Sequence, residues 1–392
     1  MKQFDVVIAG GAMAGMTLAL AINKLSERPL SVAVVESFKA EHQSHPGFDS
    51  RSIALSFGTV EILKQLDLWQ EIAPVATAIE HIHVSDRSHA GMAEICAKEV
   101  GVETLGYVVE LADVGRIYHK QVDSCESIEL LCPESVKTIE RKQEEALITL
   151  DSGERIAAKL VVAADGAMSN CCQQIGLTLN EHNFDQVAVI ANVTTQEAHC
   201  GRAFERFTNS GPVALLPMSE GRMSLVWCLR PEDAEAVMAL DDEAFLTQLQ
   251  AAFGWRLGKL EKVGQRASYP LLLRYREQNI SHRFAVVGNA AQTLHPIAGQ
   301  GFNLGIRDVV SLAEEIARFS QDPGDYSVLS GFKQRRESDR EATIGLTSSL
   351  VHLFSNDYLS LRVGRNLGLV AMDNCSVLKA PLLARTLGLV AR

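Results

Sequence analysis

The chain has no basic excess. Its 392 residues hold 48 Asp and Glu against 37 Lys and Arg, a formal net charge of −11. A nucleic-acid ligand calls for a basic face, so that class of partner is excluded. The sequence also has no Cys-x-x-Cys pair. Its eight cysteines are scattered, and the adjacent Cys171 and Cys172 are badly placed for a structural disulfide. Reduced thiols in a cytoplasmic protein are the expectation. No apolar run approaches the roughly 18 residues that span a bilayer. The opening FDVVIAGGAMAG fits strand and turn better than a secretory apolar core, because Asp5 and the glycines interrupt it and no small-residue cleavage pattern follows. Internal repeats and low-complexity linkers are missing. His81 and His83 alternate on one strand face, but two neighbouring histidines do not make a metal site, and none is expected.

What is present is ordinary globular material, 47 % hydrophobic and 22 % charged, long enough for two or three domains. Val6 to Ala9 reads as a buried strand, Gly10 to Gly15 as a turn, Met16 to Leu25 as a helix, and SVAVVE at 31–36 as a second strand. Residues 146–150 and 160–164 add short apolar strands around Ser152-Gly153, and FAVVGN at 284–289 adds another. Between them lie alternating segments at 82–85, 187–193, 202–207 and 223–229, which suit an antiparallel sheet. A helix follows from about Phe302 to Phe319. The expected fold is α/β. A Rossmann-like nucleotide-binding domain (1–80, 111–180 and 280–341) is interrupted by a mainly antiparallel β-sheet substrate domain (81–110 and 181–279). A C-terminal helical tail covers 342–392.

Three segments carry chemistry. The turn Gly10-Gly11-Ala12-Met13-Ala14-Gly15 joins strand to helix, where free N–H groups and the helix dipole favour a pyrophosphate. Its second fingerprint position is Ala12 rather than glycine, and the methyl group crowds the phosphate. Glu36 ends the second strand, 21 residues past Gly15, where a carboxylate accepts both ribose hydroxyls of an adenosine and disfavours a 2′-phosphate. The second segment is VVAADGAMS, with Asp165 and Gly166; by itself it is a turn. The third, AAQTLHPIAGQGFNLGIRD at 290–308, has no charged side chain before Arg307. Gly299 and Gly301 let the backbone approach a flat ligand, and the amides near Gly301, Phe302 and Asn303 form an uncompensated positive pole.

In this order, with Gly288-Asn289 closing the third strand, the segments resemble those of the FAD-dependent aromatic hydroxylases, the p-hydroxybenzoate hydroxylase class of flavoprotein monooxygenases. HPGFDSRSIALS at 45–56, GRAFERFTNSGPVALLPMS at 201–219 and GNAAQTLHPIAGQGFNLGIRD at 288–308 are similar, within that class, to the ubiquinone-biosynthesis hydroxylases acting on 2-polyprenyl-6-methoxyphenol. The resemblance implies that Gly10, Gly15 and Glu36 hold the ADP half of FAD and that Arg51 reaches the pyrophosphate or flavin side. Asp165 would help bind FAD and the passing nicotinamide. Asn289, aspartate in most of the class, keeps an acceptor for the ribityl chain. Pro296 and Gly299 to Asn303 would lie along the isoalloxazine.

The implied reaction is reduction of FAD by NADH or NADPH, uptake of O₂ as a C4a-hydroperoxide, and oxygen transfer to the ring of a polyprenyl phenol, with water excluded. The phenol needs a base or a hydrogen-bond chain. His81, Glu205, Tyr269 and His295 are candidates, and no catalytic residue is assigned among them. Three other readings stay open: the same chemistry at another ring position or on another aromatic substrate, an NAD-dependent dehydrogenase, and a non-catalytic prenyl-lipid carrier. Residues 342–392 hold five basic residues against two acids, a net of +3, while the rest sums to −14. Their amphipathic helices either pack on the FAD domain or meet the inner face of the membrane or other ubiquinone-biosynthesis proteins.

Overall fold

The computed structural model of the chain describes residues 1–39, 51–87, 91–319, 321–354 and 359–390. Two large sheets and one small one organise them. The core of the first sheet is parallel, with strands Phe284–Val286, Arg155–Ala163, Lys2–Ala9, Val32–Val35 and Ile128–Leu131 side by side. Its runs are continuously apolar because both faces are covered. Val6 and Ile8 pack with the helix Met13–Leu25, whereas Val7 and Ala9 pack on Cys171, Cys172 and Val286. Ala146–Leu150 folds back antiparallel on Arg155–Ala163.

The second sheet has nine strands. Ala267–Tyr275, Asn180–Thr195, Arg222–Leu229, Gly211–Pro217 and Arg202–Thr208 run antiparallel in that order. The next pairing, Arg202–Thr208 with His81–Asp86, is parallel, and Met92–Cys96 closes that edge. One face carries Val189, Phe204, Val213, Leu225 and Trp227, sealed by the helices Pro231–Met238 and Asp242–Phe253. The opposite face carries Ala188, Phe207 and Cys228 and looks toward Ile297 and Phe354. A three-stranded sheet, Ser52–Ser56, Gly106–Glu110 and Thr77–Ile79, stands apart from both.

The segment after Phe284–Val286 leaves the first sheet and pairs through Gln292–Thr293 with Ala267–Tyr275 of the second. The following turn at 295–299 therefore lies between the two sheets, and the helix Gln300–Arg318 returns against Met13–Leu25 in the core of the first. That crossing places the glycine-rich segment.

The C-terminal helices are Tyr326–Phe354, which runs across residue 342, then Leu359–Asn374 and Ser376–Thr386. Val351 and Phe354 are buried with Ile297 and Phe207, and the Phe207 and Phe354 rings stack 3.7 Å apart. Leu383 and Leu387 are buried with Ile79, Leu105 and Val108. Asn366 accepts from the Gly91 amide and donates to Asp86. Two of the tail's basic residues turn inward: Lys379 donates to the Glu94 carbonyl and Arg385 lies near Asp339. Among the described residues no helix is long and apolar enough to cross a membrane.

Candidate active site

The first turn is built on close approach. Gly10 has φ +102°, and a Cβ there would stand 2.4 Å from the Ala164 carbonyl oxygen. A Cβ on Gly15 would stand 1.9 Å from the Gly10 oxygen, so the helix rests on the strand only without side chains. Ala12 caps the helix without a side-chain bond, and no acid occupies the first turn. Its leading amides are free to receive an anion.

Glu36 is buried where its spacing predicts, and it does more than wait for a ribose. Its Oε2 accepts the Gly11 N–H at 2.6 Å and its Oε1 accepts the Phe38 N–H at 2.8 Å. Its Oε1 also accepts the Ser37 hydroxyl at 3.3 Å, so the carboxylate holds the turn together. Arg51 is exposed at the start of Ser52–Ser56. Residues 45–50 of its motif, including Asp49, lie outside the described residues.

The contact of Gly10 with Ala164 and Asp165 brings the second segment to the first. Asp165 Oδ2 accepts the Cys171 N–H at 3.2 Å, while its Oδ1 is buried with no hydrogen-bond partner. Gly166, at φ +89°, would place a Cβ in open space. An orphaned carboxylate oxygen beside an open glycine fits a ligand donor, such as a hydroxyl, at that point.

The third segment touches the first as well, for a Cβ on Gly288 would come 2.7 Å from the Ala14 Cβ. Asn289 is exposed. Pro296 opens a short turn ending at Gly299, which adopts a left-handed φ of +59° and caps Gln300–Arg318 without a side-chain bond. That helix also starts without an acid. Around Gly301 the protein is roomy, with Leu294 as the nearest neighbour of a would-be Cβ at 3.8 Å. Phe302 is half-buried against the core. The Asn303 side chain is spent elsewhere. Its Oδ1 accepts from the Ser56 amide and the Thr59 hydroxyl, and its Nδ2 donates to the Ala54 and Gly299 carbonyls, all within 2.7–2.9 Å. Asn303 therefore pins the helix start, and only its backbone is available to a ligand. Ala54 and Ser56 lie in the motif at 45–56, but their part in this clamp, and Thr59 altogether, went unmarked because a contact across some 250 residues leaves no local pattern.

The four candidate bases separate. His295 is 1 % exposed. Its Nδ1 accepts the Ile297 N–H at 3.2 Å, so Nε2 carries the proton and donates to Gln186 Oε1 at 3.0 Å. Burial pushes its pKa down to about 4, leaving a neutral ring with both nitrogens engaged. His81 and His83 share the face of Phe204, turned away from the loop at 295–299. Glu205 and Tyr269 lie on the loop-facing side of the sheet, Glu205 beside Cys228 and Tyr269 opposite Ala188. The arrangement offers two amide poles, a buried carboxylate, an orphaned carboxylate oxygen and an apolar wall of Phe184, Ile297, Phe207 and Phe354. It suits a long, flat, partly anionic ligand lying along the first sheet toward the second.

The family model described as FAD binding domain matches residues 3–345. The chain is 33 % identical to ubiquinone hydroxylase UbiL of Rhodospirillum rubrum, covering 99 % of this chain and 90 % of the relative. It is 30 % identical to 3-demethoxyubiquinol 3-hydroxylase of Escherichia coli, covering 98 % of each. With the human mitochondrial ubiquinone biosynthesis monooxygenase COQ6 it shares 27 % identity, over 97 % of this chain and 92 % of the relative. Among solved structures, p-nitrophenol 4-monooxygenase PnpA from Pseudomonas putida superposes with a TM-score of 0.81 at 19 % identity, over 99 % of each chain. A Klebsiella pneumoniae HpxO variant complexed with FAD gives 0.76 at 14 % identity, over 99 % of this chain and 98 % of that one. At those identities the structural likeness speaks for the fold.

Proposed function

The chain belongs to the FAD-binding-domain family, among the FAD-dependent hydroxylases of ubiquinone biosynthesis, and from that premise we propose that it hydroxylates the aromatic ring of a polyprenylated phenol of the 2-polyprenyl-6-methoxyphenol kind. It is an FAD-dependent aromatic monooxygenase. The substrate reading is supported by end-to-end similarity, over 98–99 % of this chain, to relatives named ubiquinone hydroxylase and 3-demethoxyubiquinol 3-hydroxylase.

The cofactor fits the residues present. The amides of Ala12 to Gly15 would take the pyrophosphate and Glu36, which also holds the Gly11 amide, the ribose, with Arg51, Asp165, Gly166, Gly288 and Asn289 along the length of the molecule. Pro296, Gly299, Gly301 and Phe302 would flank the ring. Bound FAD supplies hydride acceptance from NADH or NADPH and activation of O₂. The chain's own part is to hold the positive end of Gln300–Arg318 against developing negative charge and to keep water from the ring. His295 stays neutral and positions the Pro296–Gly299 turn, so activating the phenol falls to the open sheet face that carries Glu205 and Tyr269. We place peripheral membrane contact on the outward side of Leu359–Asn374, where Val363 and Val370 are 50 % and 43 % exposed. A polyprenyl phenol stays in lipid, and since no helix among the described residues is long and apolar enough to cross a membrane, this surface is where the chain would meet it.

The test has two arms. The purified protein should carry about one FAD per chain and couple NADH or NADPH oxidation to hydroxylation of a short-chain prenyl phenol. Cells lacking it should accumulate the polyprenyl phenol one hydroxylation short. Accumulation of a differently substituted intermediate would move the substrate assignment, and phenol-independent NAD(P)H oxidation giving only H₂O₂ would refute it.

A further inference from the structure

Behind the start of Gln300–Arg318, three guanidinium groups from three helices meet at one carboxylate. Arg307 Nε donates to Asp339 Oδ2 at 2.8 Å, and Arg336 Nη2 donates to the same oxygen. Arg385 Nη1 lies 3.9 Å from Asp339 Oδ1. The second acid of the group, Asp308, is taken by Arg336 Nε at 2.8 Å and Gln292 Nε2 at 2.6 Å. The Thr343 hydroxyl supplies Asp339 Oδ1 at 3.3 Å. Arg340 and Arg276 are also buried close by, and they engage Gln292 and backbone carbonyls rather than acids.

This cluster is not neutral. Arg307, Arg336 and Arg385 share two carboxylates, and four of their nitrogens are buried with no hydrogen-bond partner: Arg307 Nη1 and Nη2, Arg336 Nη1 and Arg385 Nη1. Arg307 is 1 % exposed and Arg336 0 %. Asp308 and Asp339 balance Arg307 and Arg336, so the surplus positive charge sits at Arg385, whose side chain is 31 % exposed; an anion there compensates it, whereas water only satisfies the N–H groups. The space is small. A Cβ on Gly388 would stand 3.6 Å from Arg307 Nη1 and 3.2 Å from Ser56 Oγ.

We propose that Arg307, Arg336 and Arg385 form a receptor, open to solvent at Arg385, for one small inorganic anion of the halide class. The anion joins the C-terminal segment to the helix that carries Gly301, Phe302 and Asn303. Arg385 sits in the last turn of Ser376–Thr386, next to Thr386, whose carbonyl accepts from Gln300, and Leu387, whose carbonyl accepts from the Gly58 amide at 2.7 Å. Filling the receptor therefore tightens a joint that ends at Ser56 and Gly58, beside the Asn303 clamp.

The holoenzyme is tested with chloride and bromide as probes. Bromide-soaked crystals should show an anomalous peak within hydrogen-bond reach of Arg307 Nη1 or Nη2 and Arg385 Nη1. In solution, chloride should raise Tm saturably over gluconate at equal ionic strength. Arg385→Met, which keeps the aliphatic stem, should raise the chloride concentration at half effect at least tenfold. Ordered water with no anomalous peak would overturn the proposal, as would an equal chloride response in Arg385→Met. If a phosphate or sulfate series stabilises the protein as well as chloride does, the halide assignment is wrong. The crystallographic arm needs no variant, so poor folding of a substituted chain leaves the question decidable.

Discussion

A single carboxylate and a single imidazole carry opposite lessons. The spacing rule singles out Glu36 as a ribose acceptor, and the structure shows its carboxylate accepting the Gly11 amide. Replacing it with alanine removes a ribose acceptor and loosens the turn. FAD affinity should then fall by about 1.5–3 kcal/mol, roughly 10- to 150-fold, in a flavin-fluorescence titration. Unchanged affinity would show that the ribose is held elsewhere. His295 looked like a base because histidine near a reactive loop usually invites that reading. Its environment, not its identity, decides otherwise. Its folded pKa of about 4 lies below the ordinary 6.5, so above pH 6.5 both folded and unfolded states are neutral and nothing is lost. Between about 6.5 and 4 the unfolded chain takes the proton first, and stability falls by about 3 kcal/mol before levelling off. Urea unfolding at pH 7 and pH 4.5 should show that loss in the wild type and a shallower one in His295→Asn. Equal slopes would mean that the ring is protonated in the fold.

The helix Gln300–Arg318 and the segment before it show what periodicity can reveal and what it hides. The apolar spacing predicted the helix to within two residues at each end, and the uncharged approach predicted an amide pole at its start. The purpose of each glycine could not be read that way. Gly288 faces the Ala14 methyl at a left-handed φ of +62°, so Gly288→Ala should fail to fold or lose several degrees of Tm. A Cβ on Gly301 would meet nothing beyond its own helix and chain neighbours nearer than Leu294 at 3.8 Å. Gly301→Ala should therefore fold with wild-type Tm as apoprotein while hydroxylation drops on the order of 10²-fold, because the added methyl faces the cofactor's side. A Gly301→Ala apoprotein that melts early would show that this glycine serves the fold instead. The parallel pairing of Arg202–Thr208 with His81–Asp86 was also invisible, since alternation fixes which face a residue takes and leaves strand direction open. The parallel strands of the first sheet announced themselves because burial on both faces makes them apolar throughout.

At the scale of the whole molecule, amphipathic spacing foretold the C-terminal helices but not what they touch. A chain cut after Phe354 loses Leu383 and Leu387 from the core, together with the bonds from Gln300 to Thr386 and from Gly58 to Leu387. It should lose bound FAD and several degrees of Tm. If it instead keeps FAD and short-chain turnover and loses only liposome flotation, the tail serves the interface alone. The tie between Gly58 and Leu387 also sets a schedule. The ribosome releases Gly58 more than three hundred residues before its partner, which at about 5–20 residues per second is roughly 15–65 s. The strand Ser52–Ser56 waits first for Asn303, 245 residues after Gly58, and then, with the cofactor's seat, for a contact not yet synthesised. Loading of FAD is then a late, post-translational event, and a nascent chain stalled before Ser376 would be colourless.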